Sequence, residues 1–267
     1  MNPIKKISYR VSKFGLVGAI KLIFGKSLTG RRRDIILGLD DPADRFTKIY
    51  KSNHWNSLES RSGEGSTFEN TENIRLELPK LLNKYQINIF LDVPCGDFNW
   101  MRYVMEGSSL QYIGGDIVPD LIKSNNQRYT DKNISFINLD LTKGPLPTAD
   151  LMLCRDCLFH LSYEDIKRTL EVFLSSSVNY LLTTSSAAPE GSRLTNTNII
   201  TGDMRKLDLF APPFNLSSSD VMEVIEDSMI SSSMKRWMIL LKKPTVQKML
   251  VSICLLYTSP SPRDVEE

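Results

Sequence analysis

Apolar residues along the chain gather in short runs, and between the runs the pattern changes to a helical period. The runs at Ile89–Val93, Tyr112–Ile117, Ile134–Leu139, Leu151–Arg155 and Tyr180–Thr184 are too short for helices and predict buried strands. The segments near Trp100–Met105, Pro119–Tyr129 and Tyr163–Leu174 predict helices between them. Strands spaced by helices imply βαβ units and a doubly wound, Rossmann-like, mainly parallel α/β sheet. Two later runs, Val221–Ile225 and Arg236–Lys242, predict further strands and bring the sheet to about seven.

Upstream, "DPADRFTKIYKS" from residue 41 has a helical start. Ser66 followed by Glu69 fits a capping box opening a helix over "TFENTENIRLELPKLLNKY", in which Pro79 is expected to kink or divide the helix. After the fifth strand comes a long irregular stretch, "SSAAPEGSRLTNTNIITGDMRKLDLFAPPFNLSSS". A loop that long inside a domain is often functional.

Charge divides the 267 residues unevenly. Residues 1–33 carry nine Lys or Arg and no acid, so the rest holds 24 basic against 31 acidic residues, a net of −7. An acidic body argues against a protein that wraps nucleic acid over a broad basic face. The basic head has Phe14, Leu16, Val17, Ile20, Ile23 and Phe24 among its lysines. Its apolar run stops at Lys21, short of the ~20 residues a membrane span needs. Residues 1–40 therefore read as a basic amphipathic extension, either packed on a domain over 41–243 or touching an anionic membrane through residues 1–33. Four cysteines and no secretory signal suggest a reducing, cytoplasmic compartment. The closing "CLLYTSPSPRD" reads as a translated library adapter. Native sequence is thus expected to stop near Ile253, and residues 254–267 are set aside.

The stretch "IFLDVPCGDFNW" carries the first chemistry. A dinucleotide fingerprint needs G-x-G-x-x-G, whereas Pro94, Gly96 and Asn99 stand at those positions. Asp92 and Asp97 would repel a pyrophosphate, which disfavours NAD and an oxidoreductase. A sulfonium and an ammonium group reverse that reasoning, so the loop suits S-adenosylmethionine. Asp116, twenty residues beyond Gly96, stands where an acid accepts hydrogen bonds from ribose hydroxyls, and Asp140 ends the third strand where it could border an adenine.

With those residues in view, the chain resembles class I S-adenosylmethionine-dependent methyltransferases. More narrowly, it is similar to a methyltransferase-like group sharing "FLDVPCGDFNWM", "YIGGDIVPDLI", "CRDCLFHLS" and "TGDMR" over about residues 45–243. The resemblance implies a last strand running antiparallel. It also implies that Asp92, Cys95 and Gly96 line the methionine part of the cofactor, Asp116 the ribose, and Asp140 with Leu141 the adenine. Pro94 and Phe98 stand where the family usually has glycine, which leaves the path of the loop open.

Methyl transfer to oxygen asks for an in-line acceptor and, for hydroxyls of high pKa, a general base. Arg155, Asp156 and His160 in "CRDCLFHLS" are expected beside the methyl group, with His160 and Asp156 as catalytic candidates and Arg155 bordering the cofactor. His160 as a structural residue is the competing reading. Cys154 and Cys157 form a C-x-x-C without a second pair, so buried thiols are expected and no metal. "WNSLESRSGEGS" is a candidate lid, with Arg61 meeting the cofactor carboxylate. Asp203 and Arg205 sit in the insertion where acceptor specificity is expected. The resemblance implies methylation of a small molecule or glycan, on oxygen in preference to nitrogen. A non-catalytic cofactor-binding module is the alternative.

Overall fold

All seven predicted strands pair into one sheet in the computed structural model, which describes residue 30 and residues 32–186, 194–230 and 235–258, with side chains to 255. The basic head before residue 30 and the residues after 258 lie outside the described residues. In chain order the strands are β1 (Ile89–Asp92), β2 (Gln111–Asp116), β3 (Ile134–Asn138), β4 (Leu151–Cys154), β5 (Tyr180–Ser186), β6 (Glu223–Glu226) and β7 (Arg236–Lys242). The sheet order is β3-β2-β1-β4-β5-β7-β6. The first five strands are parallel, and β7 runs antiparallel to both β5 and β6.

Helices cover both faces, which is why the strands read as unbroken apolar runs. Alternate residues serve opposite cores: Leu91, Met152 and Leu181 face one side, Phe90, Leu151, Leu153 and Leu182 the other. The first core is closed by Ile166, Leu170 and Phe173 from the helix Tyr163–Ser175, and by Val246, Met249 and Ile253 from Lys243–Thr258. That last helix was not foreseen. It carries Cys254–Thr258, so the start of the set-aside tail continues the preceding helix. The second core takes Ile74, Leu78, Leu81 and Leu82 from the helix Glu72–Lys84.

We label the helices α1 (Pro42–Lys51), α2 (Glu72–Lys84), α3 (Met101–Met105), α4 (Pro119–Tyr129), α5 (Tyr163–Ser175) and α6 (Lys243–Thr258). The Asp41 carboxylate caps α1 by accepting from Ala43 N at 2.9 Å, and Pro42 opens its first turn. The expected Ser66–Glu69 capping box does not form. Two 3₁₀ turns occupy 64–66 and 69–71, and α2 begins only at Glu72. Glu59 accepts from Phe68 N and Thr67 Oγ1 accepts from Asn70 N, so other side chains take the free donors there. Pro79 lies inside α2 without dividing it.

The sheet order reverses between β2-β1 and β1-β4, and the crevice at such a switch point opens at the carboxyl ends of the strands. Asp92, Asp116 and Asp140 all stand at that edge. Helix α1 crosses above it. Arg45 Nη1 donates to Thr201 O at 3.0 Å on one side, and Lys51 pairs with Asp120 of α4 on the other. Among the described residues no helix is long and apolar enough to cross a membrane.

Candidate active site

The loop after β1 is held on three sides. Gly96 has φ +55°, and a side chain there would begin 2.2 Å from Ser62 Oγ. Its amide donates to Asp116 Oδ2 at 3.2 Å, and its carbonyl accepts from Asn125 Nδ2 of α4 at 2.8 Å. Phe98 also takes a left-handed conformation, φ +57°, at a position where glycine was expected. Its buried ring packs on Tyr112, Tyr129 and Phe136 at centroid distances of 5.0, 5.2 and 5.1 Å. An aromatic cluster thus fixes the turn that a glycine would leave free.

Asp97 does not face the crevice as the loop chemistry suggested. Its carboxylate accepts from Ser60 Oγ (2.8 Å), Arg61 N (2.7 Å) and Ser62 Oγ (3.2 Å), and Ser62 Oγ accepts from Asp97 N at 3.0 Å. The segment 60–66 is therefore a strap tied across the loop. Its far end is fixed by Arg155 Nη2, which donates to Gly65 O at 2.8 Å.

Asp92 and Asp116 lie buried at the ends of β1 and β2. Burial raises the Asp92 pKa to about 7, although Tyr112 Oη donates to it at 2.8 Å. Burial likewise raises Asp116 to about 6, against the pull of its backbone donors at Val118 and Gly96. Two such carboxylates gain from a nearby cation. Asp140 differs: despite burial, Thr142 and Lys143 hold its pKa below the ordinary value.

After β4 the chain turns at Asp156, φ +52°, into a 3₁₀ turn over Leu158–His160. Asp156 and His160 therefore do not share one α-helical face, yet both reach the same cavity. Asp156 accepts from Arg236 Nη1 at 2.9 and 2.8 Å. Arg155 makes a fork to Asp227, Nε at 2.9 Å and Nη2 at 3.0 Å, and Arg236 also reaches Asp227 at 3.3 Å. Burial opposes both charges at the turn, but the partners outweigh it: Asp156 stays below, and Arg155 above, its ordinary pKa. His160 Nδ1 lies 2.8 Å from Asp203 O. A carbonyl only accepts, so Nδ1 carries the proton and Nε2 keeps a lone pair. Burial lowers the His160 pKa, which keeps the ring neutral at pH 7.

Nine residues named from the sequence, Asp92, Cys95, Gly96, Asp116, Asp140, Leu141, Arg155, Asp156 and His160, line one open cavity. A family model described as methyltransferase domain matches residues 90–176, the span from β1 to α5 that carries every one of them. Residues 90–176 carry a methyltransferase domain.

No curated protein matches the methyltransferase by sequence. Among solved structures it is similar to human N-acetylserotonin methyltransferase with S-adenosylmethionine bound, at 15% identity and TM-score 0.47, over 88% of this chain and 62% of that one. It thus spans less than two thirds of the human enzyme's length. Magnesium protoporphyrin IX methyltransferase from Synechocystis PCC 6803 gives 12% identity and TM-score 0.49, over 77% of this chain and 99% of that one. The Burkholderia thailandensis 1,6-didemethyltoxoflavin-N1-methyltransferase gives 13% and 0.47, over 65% and 80%.

The methyltransferase site also contains residues the sequence did not single out. Phe46 and Tyr50 of α1, Trp100 after the loop and Thr201 in the insertion line the cavity, and Asp227 and Arg236 brace it from behind. Asp203 turns its carboxylate away to Arg33 and contributes only its carbonyl. Arg205 lies buried outside the lining, with Nη1 donating to Leu161 O at 2.6 Å. Cys95 and Cys157 are buried free thiols of raised pKa, Cys95 by burial and Cys157 chiefly by its hydrogen bond with Cys154. Among the described residues no group of three His, Cys, Asp or Glu has metal-binding geometry.

Proposed function

We propose that the methyltransferase acts on a hydroxyl of a small molecule or glycan, with His160 as the proton acceptor. Asp92, Cys95 and Gly96 hold the methionine part of the cofactor, Asp116 the ribose, and Asp140 with Leu141 the adenine. Buried carboxylates at adjacent strand ends, with raised pKa values and a glycine cradle between them, suit a cationic nucleoside. Bound there, S-adenosylmethionine supplies an activated methyl group whose transfer to a hydroxyl oxygen leaves S-adenosylhomocysteine and one proton to be taken up. His160 Nε2 takes that proton, because Nδ1 is committed to Asp203 O. Asp156, already paired with Arg236, positions the turn that carries His160. Arg155 borders the cofactor while it anchors the strap.

The observation carrying this reading is His160, its Nδ1 held by Asp203 O, in the same cavity as Asp92 and Asp116. Calorimetric titration of S-adenosylmethionine and S-adenosylhomocysteine tests it. Micromolar binding is expected for the wild type, with Asp116→Ala weaker by about tenfold or more, because a buried hydrogen-bonding partner is lost. Equal binding by the two proteins would remove Asp116 from the site. The basic segment at residues 1–33 is further proposed to touch anionic membrane. Deleting it should abolish salt-sensitive binding to phosphatidylserine vesicles.

A further inference from the structure

The cavity has two ends of different chemistry. At the β2 and β3 side it is lined by Asp116, Ile117, Val118, Asp140 and Leu141. At the other side stand Trp55, Asp156, His160, Leu161 and Thr201. Charges at this second end are already balanced. Arg155 and Arg236 are matched by Asp156 and Asp227 through forked contacts of 2.8–3.0 Å, so the network of four sums to zero. No lysine lines the cavity among the described residues. Arg61 also lines the cavity, and its backbone is tied to Asp97 within the strap beside Gly96. Among the described residues, the second end also carries an aromatic wall, Trp55, beside the His160 imidazole. The Trp55 ring lies 5.5 Å from the His160 ring at 35°, which sets the imidazole against an aromatic surface.

We propose that the acceptor is an uncharged, planar ring compound offering a single phenolic or enolic hydroxyl to His160 Nε2. This deepens the reading above and rests on it. A neutral imidazole of lowered pKa is a weak base, which suits a hydroxyl more acidic than an alcohol. A second anionic group on the acceptor would meet Arg155 and Arg236 already paired with Asp156 and Asp227, and burying a poorly paired charge is costly. A glycan brings many hydroxyls to a wall that has few partners for them.

The test is titration of naphthol, umbelliferone, a hydroxynaphthoic acid and maltose into the full chain saturated with S-adenosylhomocysteine, followed by calorimetry and tryptophan fluorescence. Naphthol and umbelliferone are expected to bind and quench. Hydroxynaphthoic acid should bind at least about tenfold more weakly, and maltose not measurably. Trp55→Ala should weaken naphthol by about tenfold, a larger factor than its effect on S-adenosylhomocysteine affinity. Naphthol failing to bind the loaded protein, or the acid or maltose binding as well as naphthol, would overturn the proposal. Failure of S-adenosylhomocysteine to bind folded protein would strike the cofactor assignment instead. The same titrations into unloaded wild type and Trp55→Ala would then judge the acceptor end alone, and loss of the Trp55 dependence there would sink it.

Discussion

Two aspartates set the pH response of the site. Asp92 and Asp116 have pKa values of about 7 and about 6 in the folded chain, against an ordinary value of 3.8. Between those limits the folded state holds more protons than the unfolded one. Their contribution to stability is therefore full below 3.8 and is lost as pH rises through about 6 and 7. A bound cation favours the ionised carboxylates and reverses the trend for the complex. S-adenosylmethionine affinity should thus rise as pH passes from about 6 to above 7, with protons released on binding. Calorimetry in phosphate and in Tris would read that release as a difference in apparent heat; equal heats in both buffers would count against it. Both aspartates were legible in the sequence because strand ends and carboxylates can be placed from pattern alone. Their protonation was not, because it follows from burial and from Tyr112, twenty positions away on the next strand.

At the scale of the element, the strap and the loop act as one unit. Gly96→Ala would put a Cβ 2.2 Å from Ser62 Oγ and 3.0 Å from Ser62 Cβ, at a left-handed φ that costs about 1 kcal/mol by itself. S-adenosylhomocysteine affinity should fall sharply, and Ser62→Gly in the same chain should restore part of it. A double-mutant cycle would measure that coupling, and strict additivity would mean the strap does not touch the loop in solution. The sequence suggested a lid over 55–66 but not its fastening, because Asp97 looked like a cofactor contact until Ser60, Arg61 and Ser62 claimed it. The brace behind the site is a second unit. Asp227→Ala leaves Arg155 and Arg236 buried without their shared carboxylate, and should cost about 3–5 kcal/mol in urea unfolding. A loss under about 1 kcal/mol would show that water replaces the carboxylate there.

Across the whole molecule, what the sequence revealed and what it hid divide by distance along the chain. Strands, their parallel run and the ordered carboxylates were readable because each rests on a local apolar run or a fixed spacing. The ion network was not, because Arg155 meets Asp227 from 72 residues away and Asp156 meets Arg236 from 80. Neither β6 nor β7 announces from its own residues that it will brace a turn after β4. The sheet order adds a constraint of timing. β6 pairs only with β7, and β7 fills the place between β5 and β6. During synthesis the stretch that matches the methyltransferase family, residues 90–176, is complete before either brace residue is added. Until they arrive, Arg155 and Asp156 have neither Asp227 nor Arg236 to meet, and Gly65 has no firm anchor. Chains cut before Asp227 are therefore expected to bind S-adenosylhomocysteine more weakly than the full chain, which calorimetry on both would check.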